Sequence, residues 1–464
     1  MDPGYIEKMH PTARKHLLRS APVAGDHANV MRSERTEVVV VGGGQAGLAM
    51  SEHLIAAGIS HLVLERSRIA ERWRSQRWDS LVANGPAWHD RFPTLEFAEL
   101  SADEFATKEQ VADYMVAYAQ HIGAPVRTGV EVTVVRKRAG EQGFTVTTSE
   151  GTIDARHVVA ATGPFQRPSI PPIVPERDGL TQIHSSQYRN PDQLPAGAVL
   201  VVGAGSSGVQ IADELLRSGR RVHLSVGPHD RPPRRYRGRD FVWWLGVLGK
   251  WEMQTPPHGA EHVTIAVSGA RGGETVDFRD LAARGMELVG LTQAFDDGVI
   301  TFAPDLAQNI ASGDANYLGL LLEADAYVER MGLDLPQEAE AHQLAPLPPS
   351  VTNPTLELDL KAAGVSSIVW ATGFTADYRW LQVEAFDTEG NPRHHRGVSS
   401  EPGVYFLGLP WLSTRGSSFI WGVWHDARYL ASRIAIQRSY MTYEGDALAP
   451  GAKLDDAALT GAPR

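Results

Sequence analysis

Two glycine strings with one spacing, Gly42-x-Gly44-x-x-Gly47 and Gly203-x-Gly205-x-x-Gly208, are the features of this sequence best suited to chemistry. In such a string the first glycine makes a tight turn, the second lets the backbone approach a diphosphate, and the third packs a helix closely on a strand. The diphosphate then meets a helix N-terminus, which carries roughly half a positive charge and unpaired N–H groups. Gln45 and Ala46 open the first of these helices and Ser206 and Ser207 the second. About twenty residues beyond the first string stands an acid, Glu65, placed to accept hydrogen bonds from a ribose, with Arg66 beside it. The second string has Ser225 and Val226 in that place, followed by Arg231, Arg234 and Arg235. A carboxylate there would repel a 2′-phosphate, whereas a guanidinium can bind it bidentately. The spacing therefore predicts two dinucleotides at a shared cleft: FAD on the first cradle and NADPH on the second, so that hydride passes from nicotinamide to flavin. The competing reading of the three arginines is a solvated basic loop.

The elements around these strings have a repeated grammar. A β-branched run, Val38 to Val41, meets the first glycines; a helical pattern from Gln45 to Ala57 stops at Gly58; a second strand runs from His61 to Leu64. The same order returns as a strand from Ala198 to Val202, a helix to about Arg217, a stop at Gly219 and a strand from Arg221 to Val226. Between the copies lie a Trp- and Arg-rich segment (Glu71 to Trp88), a candidate helix (Lys108 to His121), a β meander ending at Ala161-Thr162-Gly163, and a proline-rich crossing from Pro164 to Pro175. Residues 241–350 read as an irregular elaboration with a helix over Tyr317 to Met331. The strand from Ser367 to Trp370, which runs into Ala371-Thr372-Gly373, and the strand from Gly403 to Leu407 are both assigned to the sheet of the first unit. The expected fold class is α/β, two Rossmann-like domains, with an FAD domain (36–165 and 366–440) interrupted by an NADPH domain (166–365). Residues 1–35 and 441–464 read as a flexible extension and tail.

Composition narrows the function further. A chain of 464 residues exceeds the roughly 100–150 of one domain, and 42% hydrophobic with 21% charged residues is a globular balance. A net charge of −11 disfavours nucleic acid and anionic membrane as partners. There is no cysteine, which excludes disulfides, thiolate metal sites and any dithiol relay. The apolar run Phe241 to Trp251 is about half the ~20 residues needed to span a bilayer, and a cytoplasmic location is expected. His394-His395 and His425-Asp426 lack a ligand set, so no metal is expected.

Both glycine strings, Gly203-Ala-Gly-Ser-Ser-Gly-Val-Gln210, the two Ala-Thr-Gly junctions and His184-Ser185-x-x-Tyr188 together resemble the class B flavin-dependent monooxygenases, the group with the flavin-containing, YUCCA-like and CzcO-like flavoproteins. The resemblance runs from about Glu37 to Arg433. It implies an NADPH-dependent FAD monooxygenase that forms a C4a-(hydro)peroxyflavin and passes one oxygen atom from O2 to a small nucleophilic substrate at nitrogen, sulfur or activated carbon. It places Asn84 of Ser80-Leu-Val-Ala-Asn-Gly-Pro86 beside the flavin C4a, where a neutral amide donates without taking a proton and water is excluded. Trp73, Arg77 and Trp78 fall where the family packs residues near the flavin, Thr162, Gly163, Thr372 and Gly373 at nucleotide-facing junctions, and Tyr188 toward the cleft. The bland alternatives are a turn residue for Asn84, core packing for the tryptophans and a buried structural tyrosine. Two departures stand out. Asp178 and Leu180 replace the family's Phe-x-Gly, which weighs against Baeyer–Villiger chemistry, and Gly408-Leu409 replaces a Gly-Asp pair, which leaves flavin contacts to Ser417 to Trp424. A flavin oxidase or dehydrogenase without oxygen transfer and a non-enzymatic cofactor-binding regulator remain as rivals, with a homodimer as an open assembly. An apolar substrate wall is expected from Phe241, Trp243, Trp244 and Trp251, with domain packing as the alternative.

Overall fold

The structure is a computed structural model and describes residues 34–254, 256 and 264–443. The expectations for the N-terminal extension and the C-terminal tail lie essentially outside these residues. Two open sheets carry the two cradles. The first has nine strands, with Val404–Phe406, Gly151–Ala160, Glu34–Val41, His61–Glu65 and Val126–Thr128 as successive neighbours at its centre. Glu34–Val41 pairs in parallel with His61–Glu65, Val38 opposite His61 and Val41 opposite Leu64. Val38–Val41 and Val158–Ala160, the ends of two of these strands, are buried on both faces and are apolar without alternation, as in a covered parallel sheet. Phe144–Thr148 and Val132–Lys137 extend antiparallel from Gly151–Ala160 as the expected meander.

The second sheet has five strands in the order Glu287–Val289, Val222–Ser225, Ala198–Val202, Val365–Trp370, Thr181–His184, and every neighbouring pair is parallel. This corrects one expectation: Val365–Trp370 belongs to the second sheet, not the first. The reason is steric and local. A Cβ on Gly203 would lie 2.6 Å from the Ala371 carbonyl oxygen, just as one on Gly42 would lie 2.6 Å from that of Ala161, so each glycine turn is closed by its own Ala-Thr-Gly strand end. Val404–Phe406 does join the first sheet.

Helices Gln45–Ala56 and Ser206–Arg217 lead out of the two glycine turns. Lys108–His121 begins at a Thr107/Gln110 capping box. The helix expected over Tyr317 to Met331 starts earlier, at Leu306. Its first turns fall in the stretch expected to be irregular because two of their inward positions are polar: Asn309 Nδ2 donates to the Val226 carbonyl, and Asp314 accepts from Arg231 and Arg279. Among the described residues no helix is long and apolar enough to cross a membrane, and no group of three His, Asp or Glu side chains could hold a metal ion.

Candidate active site

The first cradle is built by backbone sterics. Gly42 has φ +114°, and a Cβ on Gly47 would sit 1.9 Å from the Gly42 carbonyl oxygen, so helix Gln45–Ala56 can rest on the turn only without a side chain there. The Glu65 carboxylate, at the end of strand His61–Glu65, accepts from Gly43 N (2.8 Å) and Ser67 N (2.9 Å) and thereby pins the glycine turn to the strand that follows the helix. Gln45 Nε2 donates to the Ser418 carbonyl (2.6 Å), which brings the segment leading into helix Ile420–Met441 against the helix N-terminus.

Above this turn opens a cavity of about 910 Å³. Of the residues singled out from the sequence, Gly42, Gly44, Gln45, Ala46, Glu65, Arg66, Trp73, Arg77, Thr162 and Gly163 line it, as do Gly408 and Ser418. Gly47 stands behind the wall as a packing position. The Arg77 guanidinium lies 5.7 Å from the Trp73 ring centroid and 5.2 Å from that of Phe165; burial, with Arg72 beside it, pushes it down to about 10. Burial also lowers Arg72, which lines the same cavity. Both guanidiniums are half-buried and Glu65 opposes the lowering of Arg72; a cation partly withdrawn from water favours an anion beside it. Arg72 and Arg77, the open helix N-terminus and the Glu65 carboxylate form a donor set that fits a dinucleotide: diphosphate on the cations and amides, ribose on the acid. Arg72 was not singled out from the sequence; the Arg-rich composition of Glu71 to Trp88 was the available signal.

The second cradle repeats the first. Gly203 has φ +112°, and a Cβ on Gly208 would sit 1.8 Å from the Gly203 carbonyl oxygen. Gly205 is the extended residue before helix Ser206–Arg217, and Gly373 and Gly163 have matching φ values of +80° and +72°. Thr372 Oγ1 donates to the Ser169 carbonyl (2.5 Å), while Thr162 Oγ1 accepts from Gln166 Nε2 (2.9 Å). What differs is the neighbour. The segment Thr264 to Gly269 runs beside the helix, where Ser206 Oγ donates to the Ile265 carbonyl (2.8 Å) and Gln210 Nε2 to that of Val267 (2.8 Å). Ser207, next on the helix, is half-buried.

Several residues stand elsewhere than expected. Arg231 and Arg234 are each only 2% exposed. Arg231 pairs with Asp314 (2.9 Å) and Arg234 with Asp240 (2.5 Å), because a buried guanidinium needs a local carboxylate. Neither is offered to a 2′-phosphate; Arg235 alone of the three is exposed. Tyr188 is fully buried in the core of the second unit, its hydroxyl donating to Glu214 (2.8 Å), and burial with that carboxylate raises the phenol well above its ordinary value. Trp78 packs in the same core. Tyr188 and Trp78 are thus structural, not cleft residues. Trp244 is packed against helix Leu306–Met331, whereas Phe241 lines a second cavity of about 240 Å³ with Asp230, Lys250, Asn316 and Arg415.

Asn84 lies outside the large cavity's lining and is clamped to the second unit. Its side-chain oxygen accepts from Gln210 Nε2 (2.9 Å) and its main-chain carbonyl from Arg234 Nη1 (2.6 Å). Arg234, read from the sequence as a phosphate ligand, is thus a brace for the Asn84 segment.

Two glycine cradles, one on a mixed sheet with parallel strands at its centre and one on a parallel sheet, the first faced by a large cation-lined cavity, define a two-dinucleotide-binding flavoprotein fold that takes flavin and nicotinamide cofactors. Residues 39–237 match the family model described as "Pyridine nucleotide-disulphide oxidoreductase", although this chain has no cysteine for a disulfide. The chain is 35% identical over 402 residues, 86% of its length and 98% of the relative's, to an uncharacterized CzcO-like oxidoreductase of Geobacillus kaustophilus. It is 32% identical over 433 residues, 88% and 89% of the two lengths, to the indole-3-pyruvate monooxygenase YUCCA4 of Oryza sativa subsp. japonica. Among solved structures, a flavin monooxygenase from Stenotrophomonas maltophilia shares the fold at TM-score 0.61 and 19% identity, over 87% of this chain and 99% of the other. The chain belongs to the class B flavin-dependent monooxygenase family that includes the CzcO-like and YUCCA proteins, and it is an oxidoreductase.

Proposed function

We propose that this protein is an NADPH-dependent FAD monooxygenase that transfers one oxygen atom from O2 to a small nucleophilic substrate. The observation that carries the cofactor assignment is the asymmetry of the cradles: only the first ends its second strand in a carboxylate, Glu65, and faces the 910 Å³ cavity. FAD is therefore assigned to the first and NADPH to the second. When bound, the flavin supplies acceptance of hydride from nicotinamide and reaction with dioxygen.

The chain's own residues hold and orient. Glu65 grips the ribose while Arg72, Arg77 and the amides at Gly44 and Gln45 take the diphosphate. The amides at Ser206 and Ser207 take the second diphosphate, and Arg235 meets the 2′-phosphate now that Arg231 and Arg234 face inward. Asn84 supplies a neutral donor that cannot remove a proton, a role in which one aligned donor is commonly worth about 2.7–4 kcal/mol. The test is to purify the protein, record its visible spectrum, and follow NADPH oxidation against amines, sulfides and oxo acids with mass analysis of the products. A yellow protein and a product heavier by one oxygen are expected. A colourless protein that cannot be reconstituted with FAD overturns the reading; NADPH oxidation that gives only hydrogen peroxide throughout supports the oxidase alternative instead.

A further inference from the structure

We propose that Gln210 is a positioning residue that fixes which end of the Asn84 amide faces the second cradle's helix, leaving Asn84 Nδ2 as the end offered to the cofactors. The second half rests on the role given to Asn84 above.

The argument is one of obligate polarity. Gln210 lies one turn into helix Ser206–Arg217 and is 9% exposed. Its Nε2 donates to two oxygens, the Val267 carbonyl at 2.8 Å and Asn84 Oδ1 at 2.9 Å. A main-chain carbonyl can only accept, so the nitrogen end of the Gln210 amide must face Val267. That nitrogen carries two hydrogens, and the second points at Asn84. The atom of Asn84 that meets it must then be the oxygen, because two NH2 groups facing each other would leave both donors unmet in a partly buried place. One carbonyl thus dictates two amide orientations in series.

The backbone beneath Asn84 is held as firmly. Arg234 Nη1 grips the Asn84 carbonyl, while Asp240 accepts from Arg234 Nε (2.9 Å) and Nη2 (2.5 Å). The rings of Phe105 and Phe241 lie 4.5 and 4.7 Å from the same guanidinium. The chain carrying Val267 continues to Gly269, where a Cβ would sit 2.0 Å from the Ala83 carbonyl oxygen, so the two segments meet backbone to backbone. Asn84 Nδ2 donates to no described residue. Gln210 therefore ties the orientation of Asn84 to the helix whose first turn, at Ser206 and Ser207, is the proposed nucleotide seat.

The test separates orientation from function. In Asn84→Asp the oxygen facing Gln210 is kept and the opposite donor becomes a second, charged oxygen; Gln210→Glu adds the same charge but sets an acceptor against the Val267 carbonyl and Asn84 Oδ1, so the pair is matched in charge and differs in orientation. Thermal melting of the flavin-loaded proteins should place Asn84→Asp within about 1 °C of wild type and Gln210→Glu lower by about 2–4 °C. The reverse order, or equal losses, overturns the orientation. For function, hydrogen peroxide released per NADPH is measured in Asn84→Ala, Gln210→Leu and the double variant, with Gln210→Met replacing the leucine if that variant does not fold. Gln210→Leu should raise the peroxide fraction toward that of Asn84→Ala, and the double variant should be no worse than Asn84→Ala. A Gln210 variant coupled as wild type beside an uncoupled Asn84→Ala overturns the proposal. If Asn84→Ala itself is coupled as wild type, the functional role given to Asn84 falls, and the melting order alone decides the orientation.

Discussion

The two glycine cradles have nearly one geometry and different surroundings. Their first glycines have φ +114° and +112°, each 2.6 Å from the carbonyl of its own Ala-Thr-Gly strand end by the position a Cβ would take, and their third glycines would place a Cβ 1.9 and 1.8 Å from the turn. At the end of the second strand, however, Glu65 turns its carboxylate to backbone amides beside an open cavity. Its counterpart Ser225 is buried, donating to the Gly290 carbonyl and accepting from Thr292. Backbone sterics thus make the turn itself, and the strand-end side chain sets what stands beside it. The second unit also turns Arg231 and Arg234 inward onto carboxylates, so fewer charged side chains are offered beside its cradle.

The comparison is broken most severely at Arg234. Removing its side chain leaves Asp240 buried without its cation, and losing one partner of such a pair costs about 3–5 kcal/mol. Arg234→Ala should therefore lower the melting temperature and denaturant midpoint and raise peroxide release by loosening Asn84. A simple rise in the KM for NADPH with unchanged stability and coupling would instead restore Arg234 as a phosphate ligand.

Acid is expected to separate the two sheets next. His157, on strand Gly151–Ala160 of the first sheet, is held down to about 4 by burial, with Arg156 adding to the effect, and its Nδ1 has no hydrogen-bond partner among the described residues. His223, on the second sheet, is also lowered by burial, but Glu287 opposes the shift from 3.1 Å. A histidine neutral in the fold and near 6.5 when unfolded binds more protons in the unfolded chain between those values. Its contribution is complete above about pH 6.5 and is lost as pH falls toward 4, a change on the order of 2–3 kcal/mol. Melting temperature should fall between pH 7 and pH 5, and His157→Gln should flatten that slope; an unaltered slope assigns the acid sensitivity elsewhere.

How much of this was legible in the sequence depended on whether the signal was local. Glycine spacing, the acid at Glu65 and the capped helix Lys108–His121 are set by neighbours along the chain, and all could be read. Strand Val365–Trp370 was assigned to the wrong sheet because sheet membership depends on a partner more than 160 residues away, though the two Ala-Thr-Gly ends, one for each glycine string, held the answer. Arg231, Arg234 and Tyr188 stand elsewhere than expected for a related reason: their carboxylate partners Asp314, Asp240 and Glu214 are ordinary surface residue types until the fold brings them together. The Gln45–Ser418 and Gln210–Asn84 contacts join distant segments and left no periodic trace.

Glu65 sharpens the comparison from the side of the first cradle. Two charge-assisted hydrogen bonds to amides, each worth about 1.5–3 kcal/mol, shape the turn before any ribose is bound. Glu65→Ala should weaken FAD binding by roughly tenfold or more, read by flavin retention on dialysis and by fluorescence titration of the apoprotein. Glu65→Gln, which keeps acceptor oxygen but loses charge, should fall between. Ser225→Ala, at the equivalent place in the second cradle, should leave flavin retention unchanged and lower stability by about 1 kcal/mol, because it removes neutral hydrogen bonds only. If Ser225→Ala strips the flavin and Glu65→Ala does not, the assignment of cofactors to cradles is reversed.

The smallest effect is expected at Arg235, the exposed member of the three arginines. A guanidinium in water gains little from one extra ionic contact, because screening and the entropy of a long side chain offset most of the attraction. Arg235→Ala should therefore raise the KM for NADPH by roughly three- to tenfold, leave that for NADH unchanged, and leave kcat with either nearly untouched. The preference should also shrink in wild type as salt is raised from about 0.05 to 0.5 M, since the Debye length falls well below 10 Å over that range. An equal loss for NADPH and NADH would mean that Arg235 shapes the cradle, whereas no loss for either would mean that the second cradle distinguishes the two nucleotides by its backbone alone or not at all.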